Sequence, residues 1–182
     1  MITIDTRVAY DDAGNLGAAY NAIMEQTTAD VVLLLDHDIF QCNPHWHHVI
    51  QTIMTDNPAI GMLTCWTNRI GNGHQRDTKA PKSDSIADHR TYARILWARH
   101  KYAVSDILSC SGMLMALRVQ CWREVGPFND GFFDVDSNYS KRIAASYWRL
   151  CRAEGLYVYH LRDRDVGSWI DGQPTSMSYL PK

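Results

Sequence analysis

The sequence contains no apolar run long enough to cross a membrane, and its first residues lack the apolar centre of a secretory signal peptide. It also contains no Cys-x-x-Cys pair, and its five cysteines are odd in number and widely spaced, at positions 42, 65, 110, 121 and 151. This spacing argues against a disulfide framework and a zinc knuckle. We therefore expect free thiols in a reducing compartment and a cytoplasmic location.

A strong excess of one charge is missing too. The formal net charge is −2, so no broad basic surface for nucleic acid is expected. Internal repeats and low-complexity tracts are absent from the sequence. Its 182 residues, 46% of them hydrophobic and 21% charged, are typical of one globular domain with a real core.

The most informative stretch is the aliphatic run Val31–Leu35, which leads directly into Asp36 and Asp38. Such a run predicts a strand buried on both faces. The two carboxylates then lie at its C-terminal end, where open α/β sheets bind their ligands. Carboxylate oxygens of this kind suit Mn²⁺ or Mg²⁺ carrying a phosphate group. A polar turn that only ends the strand is the alternative, because a bare Asp-x-Asp is common.

Apolar periodicity and capping residues predict helices over residues 16–24, 45–55, 118–125 and 138–153. Asn15 is the expected N-cap of the first helix. Gly17 in its first turn suggests that another segment packs closely there, although a glycine that the helix merely tolerates is the commoner explanation. Alternating or continuous apolar residues predict strands over residues 2–4, 31–35, 60–66 and 156–160, and two strand pieces around Ser111 and Gly112. Residues 67–90 read as a long mobile loop, and residues 92–101 fit a helix or a strand.

Three polar clusters lie where a predicted strand ends or a predicted helix begins. They are Asp36 with Asp38, the segment 134–138, and His160. A metal held by Asp38 and His160, near Asp36, would bind nucleotide phosphates and neutralise a leaving diphosphate. A carboxylate of the 134–136 segment would serve as general base for an incoming hydroxyl group. Together these roles suit an in-line displacement at a sugar carbon.

The order and spacing of several motifs resemble the family 2 glycosyltransferases over residues 15–160. The motifs are Asn15-Leu16-Gly17 with Asn21, Asp36-His37-Asp38, Ser111-Gly112 with Arg118, Val125-Gly126-Pro127-Phe128, Phe132-Phe133 with Asp136-Ser137-Asn138 and Arg142, and Tyr159-His160. The resemblance implies an α/β domain over residues 1–160 with a GT-A (Rossmann-like) fold, an open mixed sheet flanked by helices. The family's first strand–helix–strand unit is expected to be reduced or absent, because residues 1–12 leave room for one strand. Residues 161–182 are expected to form an irregular C-terminal tail.

The resemblance also implies an inverting, hexosyltransferase-like enzyme with Mn²⁺ or Mg²⁺ and a UDP- or GDP-linked sugar donor. The acceptor would be a hydroxyl group of a glycan, a lipid-linked molecule or another compound. Carried over by position, Asp38, His160 and Asp36 are the metal residues, and Asp136 is the catalytic base. The residues that match the donor-binding motifs are Asp36, Asn15, Gly17, Ser111 and Gly112.

Several alternatives stay open. The acidic segment departs from the family's Glu-Asp-x-Asp pattern at Val135 and Asn138, so Asp134 is a rival of Asp136 for the base. A non-catalytic nucleotide- or sugar-binding protein is an alternative function, suggested by the short N-terminal part. A sheet shortened on one side also leaves an edge that a second copy would cover, so a homo-oligomer is possible.

A metal-dependent phosphoesterase is the other alternative, built on Asp36, Asp38, His45 or His47, and His160. The geometry of a helix argues against it, because residues 45, 47 and 48 do not share a helix face. We therefore expect the three histidines of this segment to lie on the protein surface.

Overall fold

The structure is a computed structural model, and it describes residues 1–161 together with residues 169–170 and 173–174. The helices are α1 (Leu16–Gln26), α2 (Trp46–Asp56), α3 (Ile86–His100), α4 (Val119–Val125) and α5 (Val135–Ala144). The strands are β1 (Ile4–Val8), β2 (Val31–Leu35), β3 (Ile39–Gln41), β4 (Ile60–Thr67), β5 (Val104–Asp106), β6 (Leu114–Arg118), β7 (Arg149–His160), β8 (Trp169–Ile170) and β9 (Gln173–Pro174).

Seven strands form one mixed sheet in the order β1-β2-β6-β4-β7-β3, and β5 pairs with residues 151–153 of β7. The β1–β2 and β4–β7 pairs are parallel and the others are antiparallel. The predicted α/β fold with a mixed sheet flanked by helices is therefore confirmed. Strands β8 and β9 pair with each other, and the rest of the predicted irregular tail lies outside the described residues.

Strand β2 is buried on both faces, as its sequence predicts. Val32 and Leu34 pack in one apolar cluster with the inner residues of α1, α4 and α5. Val31 and Leu33 pack in a second cluster with the inner residues of α2. Helices therefore cover the two faces of β2, and of its residues only Leu35, at the C-terminal end, is partly exposed. This arrangement leaves the C-terminal end of β2 as the place where polar groups can be displayed.

The predicted helix over residues 138–153 is present only in its first part, and its predicted end is wrong. Helix α5 begins at Val135 and ends at Ala144, and residues 149–153 form the first half of β7. Ser146 ends the helical path, since its hydroxyl group donates to the Ile143 carbonyl and accepts from the Trp148 amide. Gly155 is a site of close approach within β7, because a Cβ atom there would lie 2.2 Å from the carbonyl oxygen of Lys101.

The predicted loop over residues 67–90 is too long, because α3 begins at Ile86 with Ser85 as its N-cap. The ambiguous segment after residue 91 belongs to the same helix. The remaining loop is tied to the sheet by Gln75, which is fully buried and donates to the Thr64 hydroxyl group at 2.7 Å. Of the two strand pieces expected around Ser111, only the second forms a strand. Local sequence patterns did not show where this loop ends, because contacts with distant parts of the chain, such as that of Gln75 with Thr64, hold it in place.

Candidate active site

A cleft of about 620 Å³ opens at the C-terminal end of β2. Its polar lining contains Asp36, Asp38, Asp134, Asp136 and His160. The chain therefore brings the three predicted polar clusters into one place. Apolar side chains of β1, α1 and the loop before α5 complete the walls. The volume falls within the usual range for pockets that bind small molecules.

The short strand β3 brings Asp38 to His160. It pairs antiparallel with the end of β7, in a register that places Ile39 opposite His160. The Leu161 amide donates to the Asp38 carbonyl at 2.8 Å, which extends the pairing by one step. As a result, Asp38 Oδ1 lies 3.2 Å from His160 Nε2. One ligand atom each of Asp36, Asp38 and His160 lies within 4.8 Å of the other two.

Hydrogen bonds to Asn68 and Arg69 fix the orientation of His160. Its Nδ1 lies 2.7 Å from the Arg69 carbonyl oxygen, and a carbonyl oxygen only accepts, so Nδ1 carries the proton. The His160 amide donates to Asn68 Oδ1 at 2.8 Å. Nε2 is thereby directed to Asp38 and the cleft. Metal-binding histidines usually donate their second ring N–H to a carbonyl or carboxylate group in this way.

The charges in the cleft favour a cation. Burial raises the pKa of Asp36, and the charges of Asp38 and Asp136 add to this effect. The hydrogen bond with His160 lowers the pKa of Asp38. Burial alone would lower the pKa of His160, but the hydrogen bond and the charge of Asp38 outweigh it, and the pKa is raised. Two carboxylates and one imidazole are donors that fit Mn²⁺, and the carboxylates also fit Mg²⁺.

Asp136 lies in the first turn of α5, and both of its carboxylate oxygens accept backbone hydrogen bonds. Oδ2 accepts from the Gly112 amide, and Oδ1 accepts from the Ser137 amide at 2.7 Å. The backbone at Gly112 approaches closely, since a Cβ atom there would lie 3.1 Å from Asp136 Oδ2. Asp134 has a left-handed backbone (φ 56°), is exposed and makes no capping hydrogen bond. Of the two rivals, only Asp136 has a fixed carboxylate.

No model of a known protein family matches the chain. No curated protein matches it either. Within the part of the chain that the structure describes, no helix combines the length and the apolarity needed to cross a membrane. The interpretation of the cleft thus depends on its own residues.

The structure places Asn15 and Gly17 behind the cleft, outside its lining. Asn15 Oδ1 caps α1 by accepting from the Ala18 amide at 3.0 Å, and it also accepts from the Gly131 amide at 2.9 Å. The Gly17 amide donates to the Gly131 carbonyl at 3.1 Å. The first turn of α1 therefore holds the loop over residues 129–134, which carries Phe132 to the cleft.

Ser111 also lies outside the lining, whereas Gly112 is part of it. The Ser111 amide donates to Gln75 Oε1 at 2.6 Å, and its carbonyl accepts from Gln75 Nε2 at 3.1 Å. The buried Gln75 thus sets the path of the backbone that reaches Gly112. Direct contact of Asn15, Gly17 and Ser111 with a donor stays a prediction.

Gly17→Ala is expected to destabilise the protein by about 1–3 kcal/mol, although alanine normally favours a helix. The added Cβ atom would lie 1.9 Å from the carbonyl oxygen of Asn129, so α1 or the 129–134 loop must move. Urea unfolding measures the change. Gly73→Ala is the matched control, because open space surrounds that position. Equal stability of the two variants would contradict the close packing.

The histidines at positions 45, 47 and 48 are exposed, as expected. None of them lines the cleft or belongs to the group formed by Asp36, Asp38 and His160. Of the residues proposed for a phosphoesterase, Asp36, Asp38 and His160 are brought together, but His45 and His47 do not join them.

Two further parts of the cleft were not predicted. Tyr20 packs in the apolar cluster beside α1, and it also lines the cleft. Burial raises its pKa, with the negative charges of Asp36 and Asp136 adding to the effect. Phe132 and Phe133 stand at the cleft with about half of their surface exposed, 52% and 58%. The sequence signal that could have predicted this part of the cleft is the pair of adjacent aromatic residues before an acidic segment.

Proposed function

We propose that the protein is an inverting, metal-dependent glycosyltransferase of the GT-A type. It would move a sugar from a UDP- or GDP-linked donor to a hydroxyl group of an acceptor. One observation carries the proposal: one ligand atom each of Asp36, Asp38 and His160 lies close enough to the other two to hold a metal ion, and Asp136 lines the same cleft. Metal-dependent sugar transfer with inversion requires a cation site for the donor diphosphate and, beside it, a base for the acceptor hydroxyl group, and the cleft offers residues for both.

Asp38 and His160 would hold the divalent cation, with Asp36 as a further ligand or as a partner of the donor ribose. When bound, the cation neutralises the charge that develops on the leaving diphosphate. The chain's own contribution is preorganisation. The hydrogen bond from His160 to the Arg69 carbonyl and the pairing of β3 with β7 fix the ligands before the cation arrives.

Asp136 would take the proton of the acceptor hydroxyl group as its oxygen attacks the anomeric carbon. The new bond forms on the face opposite the diphosphate, and the bond to the diphosphate breaks, so the configuration inverts. The amides of Gly112 and Ser137 hold the carboxylate in place. A carboxylate oxygen has two lone pairs, so each oxygen keeps one for the proton.

A second function, binding of a nucleotide sugar without transfer, is favoured by the same hydrogen bonds. Both oxygens of Asp136 already accept from the backbone, so each keeps only one lone pair for the hydroxyl group of an acceptor. Product formation distinguishes the two functions.

The five cysteines are all free and buried, which suits the reducing cytoplasm as the proposed location.

Calorimetric titration with UDP and GDP, each with Mn²⁺ and again with EDTA, tests the proposal. We expect one nucleotide to bind with a Kd on the order of 1–100 μM in Mn²⁺ and at least about tenfold more weakly in EDTA. Asp38→Asn should remove the metal dependence, because it removes a ligand charge. His47→Gln is the matched control on the surface and should bind like the unmodified protein. Nucleotide binding that ignores both EDTA and the Asp38 substitution would contradict the proposal.

A further inference from the structure

Strand β1 lies at one edge of the sheet. Within the residues that the structure describes, β2 is the only strand that pairs with it. Three of its five residues, Thr6, Arg7 and Val8, are exposed. An edge of this kind presents unpaired backbone N–H and C=O groups, which are a template for pairing with another strand. The question is therefore which strand fits this edge.

The hydrogen bonds of Thr3 show which backbone groups of β1 are open. The Thr3 carbonyl accepts from the Val31 amide at 3.1 Å, and the Thr3 amide donates to Asp30 Oδ2 at 2.7 Å. Both backbone groups of Thr3 therefore face β2. Along a strand, residues whose backbone groups face one neighbour alternate with residues whose groups face the opposite side. The residues that turn their N–H and C=O groups to the open edge are thus Ile4, Thr6 and Val8.

Helix α2 covers the beginning of this edge. Ile2 would continue the row of outward backbone groups, but its amide donates to the Thr55 hydroxyl group at 3.5 Å. Its carbonyl accepts from Gln51 Nε2 at 2.8 Å. In the described part of the chain, no such bond reaches the outward groups of the next three residues in the row. The open edge is therefore limited to residues 4–8.

The sequence of this edge is complementary to its own reverse. It reads Ile4-Asp5-Thr6-Arg7-Val8. When two copies pair antiparallel with Thr6 opposite Thr6, each Ile4 lies opposite Val8. Asp5 then lies opposite Arg7, and twofold symmetry makes each of these contacts twice. Outward residues meet outward residues in this arrangement, so the Ile4–Val8 and Thr6–Thr6 pairs exchange two hydrogen bonds each, as an antiparallel ladder requires.

The charges of Asp5 and Arg7 select this register. The two side chains share one face of β1, with Arg7 Nε 2.8 Å from Asp5 Oδ1. Pairing centred on Thr6 places each charge opposite its counter-charge, which favours the contact. A pair centred on Asp5 would oppose two carboxylates, and one centred on Arg7 would oppose two guanidinium groups. A centre between two residues would set outward backbone groups against inward ones, and the ladder could not form.

We propose that two copies of this chain pair through β1 about a twofold axis at Thr6, which joins their sheets into one. Val8 lines the cleft, so Ile4 of the second copy lies beside the cleft wall. A strand of five residues is well below the about 20–30 residues a side of a standard interface, so the dimer is weak. Pairing needs neither metal nor nucleotide, and it is therefore independent of the glycosyltransferase proposal.

Analytical ultracentrifugation of the full chain measures the pairing. We expect a dimer with a Kd on the order of 10–100 μM. Thr6→Pro should weaken it at least about tenfold, because proline removes the N–H at the twofold axis. The β1–β2 pair does not use that N–H, and edge strands tolerate proline, so the fold should persist by circular dichroism. Arg94→Asp, an exposed change on α3, is the matched control and should dimerise like the unmodified protein.

An exchange of charges tests the register. Asp5→Arg and Arg7→Asp each leave like charges opposite each other, so either variant alone should bind itself at least about tenfold more weakly than the unmodified protein does. Mixed in equal amounts, the two variants should form a mixed dimer with a Kd within about tenfold of the unmodified value. Each variant then supplies the charge that the other lacks. Recovery on mixing also shows that both variants are folded.

Three results would overturn the proposal. The first is an unmodified protein that remains monomeric at about 1 mM, which would leave this edge to another segment or another protein. The second is a dimer that Thr6→Pro and both charge substitutions leave unchanged, because the contact then lies elsewhere. The third is a pair of charge variants that are folded by circular dichroism and form no mixed dimer, which contradicts the register.

Discussion

Asp136→Asn is expected to lower kcat for sugar transfer by about 10²–10⁴-fold, the range that a general base contributes. The amide does not take up a proton from the acceptor hydroxyl group. Affinity for the nucleotide should change little, because Asp136 belongs to the acceptor side of the cleft in the proposed mechanism. Product formation under saturating donor measures the loss, and calorimetry with the nucleotide checks that binding persists.

A structural consequence of this substitution needs its own control. Both carboxylate oxygens accept a backbone N–H, so the NH₂ group of asparagine must face either the Gly112 amide or the Ser137 amide. One hydrogen bond is then lost, at a cost of about 1–3 kcal/mol for the unsatisfied groups. The thermal midpoint of the variant therefore has to be measured beside its activity. A loss of activity that matches the loss of folded protein would not identify a base.

Asp134→Asn is the matched comparison, because both acids line the cleft only two residues apart. Asp134 is exposed and unanchored, so we expect its substitution to reduce activity by less than about threefold, as for most surface changes. The reverse order of effects would transfer the role of base to Asp134. An unmodified protein that binds nucleotide and forms no product with a range of acceptors would favour the binding function.

The parts of the site that could be predicted are those that short stretches of sequence determine. Val31–Leu35 is apolar enough to be buried on both faces, so the position of Asp36 at its end followed from local pattern alone. The glycine at position 17 also carried a usable signal. Its cost to the helix suggested a close neighbour, and the Asn129 carbonyl oxygen is that neighbour.

The approach of Asp38 to His160 was expected because both lie at the ends of predicted strands, and the family resemblance implies it too, but no local pattern shows how the chain achieves it. It depends on β3, a strand of three residues that no apolar period marks, and on its pairing with a strand far along the chain. The prediction of a helix was wrong over residues 149–153 for a related reason. Their alanine and leucine content favours a helix, but β7 lies between β4 and β5 at this point, and sheet pairing overrides the local preference.

The charge distribution in the cleft links the binding of the metal to the binding of the donor. Burial and the nearby carboxylates raise the pKa of Asp36, which means that the residues of the cleft do not fully stabilise its negative charge. The single basic group of the cluster, His160, already neutralises Asp38. A divalent cation would satisfy Asp36 as well, and a nucleotide diphosphate would then bring the charge back near neutrality. Metal and donor are therefore expected to bind cooperatively.

Asp38→Asn and His160→Gln are each expected to weaken Mn²⁺ binding by about 100-fold or more, since ligand losses exceed the 10–100-fold typical of the residues that support ligands. Sugar transfer should fall in parallel. Titration of Mn²⁺ followed by calorimetry, in the absence of nucleotide, measures the affinity directly. His47→Gln, an exposed histidine outside the cleft, is the control and should leave the affinity unchanged.

The raised pKa of His160 determines how Mn²⁺ affinity and protein stability change with pH. Without metal, Asp38 raises the pKa of His160 above its ordinary value, about 6.5. A cation must expel that proton, so Mn²⁺ affinity should fall about tenfold per pH unit below the raised pKa and level off above it. The stability that His160 gives the metal-free protein runs the opposite way. It is complete below the pKa of the unfolded state and is lost as pH rises through the folded pKa.

Thermal midpoints measured across about pH 5.5–8.5, a range that spans the ordinary pKa of histidine, should therefore diverge. The metal-free protein should lose the contribution of the Asp38–His160 pair as pH rises, while Mn²⁺ should raise the midpoint most at high pH. His160→Gln should remove both trends, because it lacks the titrating ring. If Mn²⁺ raises the midpoint of that variant as much as it raises that of the unmodified protein, the cation binds elsewhere, and the proposed mechanism loses its metal site.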